Sequence, residues 1–233
     1  MTRTIGFAVV AVTLASASAV HAKPYQSSFG LTVDIPDNWL ALTKQVIQDD
    51  PALANPDKAA LGNINPNMIK DLSAKVESGA LEVFFDRATS DATFADNINL
   101  RQGTGKVPDG PDSLKAGCDA YSQALAKLAG RTLAMAACED RTIGTVKAFY
   151  VEYEGVDAGT VTMQYQVPRP DGKMLYVTAT CKRTSLDKVR PDFEAIVRSI
   201  KFVQPTSAQP PVTASSGGAV AQQAVLAEDK PRS

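Results

Sequence analysis

From Leu133 to Cys181 the chain alternates apolar and polar residues in successive short segments broken by glycine-containing turns, and few folds can absorb that pattern. Val161, Met163, Tyr165 and Val167 share one parity against Thr162, Gln164 and Gln166, and Leu175, Val177, Ala179 and Cys181 oppose Tyr176, Thr178 and Thr180. In the segment before them, Phe149, Val151 and Tyr153 oppose Tyr150, Glu152 and Glu154. A period of two marks half-buried strands. The connections are tight: residues 155–159, the Asp-Gly turn Arg169-Pro170-Asp171-Gly172, and residues 142–145 around Gly144, which follow a strand over 133–138. Strands joined so closely must run antiparallel, so the second half of the chain is predicted to be a meander.

Elsewhere the period changes. Leu81, Val83 and Phe85 put one more strand over 80–86, whereas Leu114, Cys118, Tyr121, Leu125 and Leu128 recur at steps of three and four, a helix over 113–129 with Asp112 as N-cap and Gly130 just past its end. Phe193, Ile196, Val197 and Ile200 form the stripe of a closing helix, with Pro191 near its start. Met68, Ile69, Leu72 and Val76 predict a helix over 67–77. Residues 44–66, interrupted by Pro51, Pro56 and Pro66, read as helical turns joined by loops, either a lid over a pocket or an irregular surface excursion. The predicted class is α+β, an antiparallel sheet of about six strands packed against helices.

The two ends read differently from the middle. Arg3, the apolar run from Ile5 to Leu14 and the small residues up to Val20-His21-Ala22 have the order of a cleavable secretory signal over residues 1–22, a retained anchor being the alternative. No later segment reaches the ~20 apolar residues that a spanning helix needs. From Gln204 onward, Pro205, Pro210, Pro211, Gly217 and Gly218 among Ser, Ala and Gln predict a flexible tail over 204–233. A single domain over 23–203 remains. Cleavage removes Arg3 and no acidic residue, leaving 23 basic against 25 acidic side chains, and with scattered lysines and arginines this gives no electrostatic case for nucleic acid or anionic lipid.

Cleavage would also remove His21, the only histidine, and with it every histidine triad, Cys-His dyad or imidazole metal site. No Gly-x-Ser-x-Gly, Walker A or dinucleotide fingerprint is present, and Gly103-Thr104-Gly105-Lys106 lacks the upstream glycine and following helix of a phosphate loop. No catalytic residue, metal site or cofactor is therefore predicted. A hydrolase using paired carboxylates would need two inward-facing acids, and none is evident. The candidate binding face is Tyr150, Glu152, Glu154, Gln164, Gln166 and Tyr176, read as neighbours on one sheet surface. Such a patch suits a cation or a polar ligand, and a solvated face or polar contacts to a covering helix are the plainer readings.

Three cysteines at positions 118, 138 and 181 suit one bridge and one free thiol in an oxidising compartment. Cys118 lies about 17 Å back along its helix from Ala129. Cys138 lies about 20 Å along the next strand from Thr132. An antiparallel strand and helix would bring these sulfurs to one level, so a Cys118–Cys138 bridge is predicted, with Cys181 buried and free.

Element order adds a resemblance. Phe29-Gly30-Leu31-Thr32-Val33-Asp34-Ile35-Pro36-Asp37-Asn38-Trp39, the strand after Ala80 followed by Phe94-Ala95-Asp96-Asn97-Ile98-Asn99-Leu100, the run from Ser113 to Cys181, and Pro191-Asp192-Phe193-Glu194-Ala195-Ile196-Val197-Arg198-Ser199-Ile200-Lys201-Phe202 together resemble the Mog1/PsbP-like superfamily over residues 29–203. That resemblance implies an antiparallel sheet packed against helices and fixes no chemistry. Trp39 reads as a core anchor, and Asn97 and Asn99 lie on the sheet face opposite Ile98 and Leu100. The function expected is an exported, non-enzymatic binding or accessory protein of the bacterial envelope, periplasmic or secreted. It would be monomeric, with an envelope protein or small ligand as partner. The alternative is a carrier of a small or lipidic ligand held between the sheet and residues 44–66.

Overall fold

The computed structural model describes residues 22–54, 64–91 and 93–203, so the signal-like segment up to its last residue, Ala22, which begins the first strand, the tail and part of the 44–66 stretch lie outside the described residues. The strands are β1 Ala22–Ser27, β2 Leu31–Pro36, β3 Trp39–Leu42, β4 Glu82–Asp86, β5 Asn97–Gly103, β6 Met135–Ile143, β7 Val146–Glu154, β8 Thr160–Pro168, β9 Met174–Lys182 and β10 Lys201–Phe202. The helices are α1 Lys44–Asp49, α2 Pro66–Glu77, α3 Pro111–Ala129 and α4 Leu186–Ser199. A seven-stranded antiparallel sheet has the order β3-β4-β5-β9-β8-β7-β6, and β1, β2 and β10 form a smaller one. The class is α+β with antiparallel sheets, and it has more strands than the sequence suggested. The additions are β3, four residues long, and β10, two, both too brief for a period of two to register, and the six-residue β1, whose first residues are exposed and show no alternation.

The meander follows from its turns. Gly155 N–H bonds Thr160 C=O (3.0 Å) and Gly172 N–H bonds Arg169 C=O (3.1 Å), with Gly172 at φ 78°, a left-handed conformation that suits glycine.

Two helix boundaries differ from the sequence reading. Gly110, not Asp112, is the N-cap of α3, because Pro111 occupies the first turn, where its missing N–H costs least. Asp112 instead sits in that turn as an acidic residue favourable to the helix dipole. Helix α4 begins at Leu186, straight out of a 3-10 turn Arg183–Ser185 that leaves β9, so Pro191 lies inside the helix rather than near its start.

The large sheet has two unlike faces. On the first, Phe84, Ile98, Val177, Met163, Tyr165 and Tyr150 meet Leu31 and Val33 of β2 and Val189, Phe193 and Val197 of α4 in the main core. Trp39 is buried here too, at 6% exposure, as a core anchor would be. On the second face, α1 and α2 cover only the β3–β4 edge, with Ile69 and Val76 on Val83 and Phe85. Helix α3 covers only the opposite edge, with Leu125 and Tyr121 on Phe149, Val151 and Tyr153. Strands under cover on both faces are buried throughout: all five residues of β4 and six consecutive residues of β7 are buried rather than alternating. The middle strands β5, β9 and β8 carry polar side chains on this second face, and those of β8, Thr162 and Gln164, are buried, with Tyr121 of α3 reaching over Gln164.

Candidate functional site

The six residues read as one binding face divide between the two faces of the sheet. In the β7–β8 register Glu152 pairs with Met163, Tyr150 with Tyr165 and Glu154 with Val161, whereas Gln164 pairs with Val151 and Gln166 with Phe149. Tyr150, Glu152 and Glu154 therefore share the α4 side, and Gln164, Gln166 and Tyr176 share the other. The turn sets this: a strand slipped by one residue exchanges its faces.

On the α4 side the three residues serve packing. Arg190 Nη1 and Nη2 donate to Glu152 Oε2 and Oε1 at 2.7 and 2.6 Å, and Tyr150 OH donates to Glu152 Oε2 at 2.8 Å. The Arg190 guanidinium, helped by the Tyr150 hydroxyl, holds the Glu152 carboxyl below its ordinary range against the cost of burial. Arg141 lies over the Tyr150 ring (3.5 Å to its centre) and donates to Glu194, which also accepts from Tyr165 OH. Glu154 pairs with Arg131 at 3.3 Å. These charges fasten α4 and the loop before β6 to the sheet and engage the carboxylates of Glu152, Glu154 and Glu194.

The other face carries the candidate site. Cross-strand registers set Asn97 beside Thr180 and Thr162, Asn99 beside Thr178 and Gln164, and Arg101 beside Tyr176 and Gln166. The result is a polar floor three strands wide between the edges covered by α2 and α3. Its two halves differ in how far the protein satisfies them. Along β8, Gln164 donates to Thr178 Oγ1 (2.9 Å) and accepts from Tyr121 OH and Gln166 Nε2, both at 3.1 Å. Along β5, Asn99 makes no side-chain hydrogen bond among the described residues, and Arg101 makes no ion pair there and rests on the Tyr176 ring at 5.1 Å. Gly103 permits this seating, since a Cβ there would lie 2.7 Å from the Tyr176 ring. Tyr176 OH in turn donates to Thr104 C=O at 2.8 Å.

The unsatisfied half opens into a cleft of about 750 Å³ between α2 and strands β4, β5 and β9. Its floor includes Asn97, Asn99 and Thr178, and its wall is formed by Met68, Leu72 and Leu81. Helix α2 stands over the cleft, and of the described part of the 44–66 stretch Asn65 lines it. The parity of Asn97 and Asn99 was legible in the sequence. Arg101 was overlooked, although it continues the same parity two residues further on.

Cys118 and Cys138 are bonded, with Cα atoms 5.9 Å apart, joining α3 to β6. Cys181 is free and fully buried on the α4 face, and burial pushes its thiol up to about 12. Iodoacetamide at pH 8 should leave the native protein unlabelled and add one carbamidomethyl group once the non-reduced chain is unfolded. Rapid labelling without denaturant would show Cys181 to be exposed. Among the described residues no cluster of three or more acidic, cysteine or histidine side chains could hold a metal ion, and no helix is long and apolar enough to cross a membrane.

Neither a protein-family model nor a curated protein matches the sequence. Among solved structures, the chain is similar to the solution structure of cyanobacterial PsbP from Synechocystis sp. PCC 6803, at 12% identity and a TM-score of 0.48 over 82% of this chain and 98% of that one. It is also similar to the Ran-binding protein Mog1p of Saccharomyces cerevisiae, at 11% identity and a TM-score of 0.45 over 79% and 97% of the two chains. A Pseudomonas aeruginosa protein of unknown function shares 14% identity and a TM-score of 0.40 over 77% of this chain and 95% of its own. The first two carry the names of the superfamily that the sequence resembles.

Proposed function

We propose that the protein is an exported, non-enzymatic binding protein of the bacterial envelope that takes a small ligand in the cleft beneath α2. The observation that carries this reading is the unequal satisfaction of the polar floor. The β8 half is closed by its own hydrogen bonds, while on the β5 half Asn99 makes no side-chain hydrogen bond among the described residues, Arg101 makes no ion pair there and has the Tyr176 ring as its contact, and both line an open cavity. A concave site of this volume, apolar on one wall with a few polar groups on another, has the make-up of a small-ligand pocket of ~300–1,000 Å³. The signal-like N-terminus and the Cys118–Cys138 bond support an oxidising destination. The non-enzymatic reading rests on the lack of any histidine in the described chain and on the engagement of Glu152 and Glu154 in ion pairs.

Native mass spectrometry of protein freshly purified from its own periplasm tests the reading. A stoichiometric small-molecule adduct is expected, and Asn99→Leu should reduce its occupancy about tenfold by removing an amide from the centre of the floor. A clean, adduct-free spectrum together with specific recovery of an envelope protein would replace this reading with that of an accessory protein.

A further inference from the structure

We infer that the ligand of the α2 cleft is a single amphiphile with one negatively charged head, its tail lying along the apolar wall and its head held between Lys75 and Arg101. The inference rests on the cleft being a ligand site and adds the chemistry of what fills it.

The apolar wall comes first. Met68, Leu72 and Leu81 are only half-buried, packed at the margin of a core whose centre, Val83 and Phe85, is at most 2% exposed. Their outer surfaces line the cleft side by side, and a hydrocarbon chain laid there would remove that surface from water at roughly 25 cal/mol per Å². A wholly polar ligand would leave this wall unused.

The head is placed by charge. Lys75 and Arg101 stand at one end of the cleft: Ala80 N–H bonds Lys75 C=O at 3.0 Å, and Leu81, the next residue, precedes the Glu82–Leu100 pair and so lies level with Arg101. Both cations are exposed and neither makes an ion pair among the described residues. Tyr176 orients the Arg101 guanidinium from beneath without consuming any of its hydrogen-bond donors. Among the described residues Asp71 is the one acidic side chain lining the cleft, so two cations against one anion leave a single positive charge there. A monoanion neutralises it, whereas a second negative charge would meet Asp71. Asn99, at the centre of the floor, offers an amide to a carbonyl or hydroxyl near the head.

A recessed wall behind a charged rim suits one extracted molecule rather than the surface of a bilayer. The experiment therefore separates the two sources. The full-length mature protein is titrated calorimetrically, below the micellar range, with dodecanoate, dodecanol and dodecyltrimethylammonium, and is sedimented with vesicles containing phosphatidylglycerol.

Dodecanoate is expected to bind at one site at least about tenfold more tightly than dodecanol, with the ammonium weaker still and no protein in the vesicle pellet. Arg101→Gln and Lys75→Gln should each weaken dodecanoate about three- to tenfold and leave dodecanol unchanged, while Leu72→Ser weakens both. Equal binding of dodecanoate and dodecanol, indifferent to Arg101→Gln yet weakened by Leu72→Ser, would overturn the anionic head and leave the cleft as a ligand site. Binding that ignores Leu72→Ser and Asn99→Leu alike would overturn both. Sedimentation with vesicles without dodecanoate binding would replace the inference with membrane association.

Discussion

Glu152→Ala is expected to lower folding stability by about 2–4 kcal/mol, a loss measurable as a fall in the denaturation midpoint with unchanged slope. The substitution leaves Arg190 without its two-pronged partner and strips the Tyr150 hydroxyl of its acceptor, beneath a helix whose apolar side closes the main core. Because the Arg190 side chain is 35% exposed, water recovers part of the cost, which places the figure below the full penalty for an isolated buried charge. Replacing both partners, Glu152→Leu with Arg190→Met, should restore most of the loss, since no lone charge is then buried. If the double variant is as unstable as Glu152→Ala, the pair is not what fastens α4.

The same pair gives stability a pH dependence. Glu152 has a lowered pKa in the folded protein, so the unfolded chain takes up its proton first as pH falls. The pair's contribution is complete above the ordinary carboxylate range and is lost as pH drops through that range and below it. Glu152→Gln should flatten this acid limb relative to the unaltered protein in denaturation curves recorded between pH 3 and 7.

Reducing the Cys118–Cys138 bond is expected to cost about 3 kcal/mol, the entropy of closing a loop of this size in the unfolded chain. The cysteines are 20 residues apart and the bond ties α3 to the edge strand β6. For a domain of this length the loss corresponds to a melting temperature lower by roughly 6–12 °C. Cys118→Ser with Cys138→Ser should match the reduced protein, and adding reductant to that variant should change nothing. The sheet itself should survive, because Leu125, Tyr121 and Phe149 still pack α3 against it. A reductant effect equally large in the double variant would trace the loss to something other than this bond.

How much of this was legible in the sequence depends on the range of the interaction that decides each feature. Turn chemistry is local, and the Asp171-Gly172 turn gave the β8–β9 pairing directly. Parity along one strand is local too: Asn97 and Asn99 were correctly set opposite Ile98 and Leu100, and Cys138 was correctly brought to Cys118. Register between strands is not local. Assigning Gln164 and Gln166 to the face of Glu152 failed because the bonds around Gly155 and Thr160 set the register one residue away, a difference that reverses the face. Cover is less local still. Period two marks which residues share a side, but nothing in β4 or β7 announces that helices and the smaller sheet bury both sides. The cleft has the same origin: Arg101, Asn99 and Lys75 meet only once α2 lies beside β5.

The seven-stranded sheet also acts as a partition between sulfurs. Cys118 and Cys138 lie on the α3 side, and Cys181 is buried on the α4 side beneath the other layer. Any bond from Cys181 to either of the others would have to cross a continuous, hydrogen-bonded sheet. A chain that oxidises after its strands have paired therefore has one outcome open to it, whereas a chain oxidised while still extended must choose among three thiols. The architecture thus edits disulfide isomers by topology, and a mispaired molecule declares itself by being unable to complete the meander.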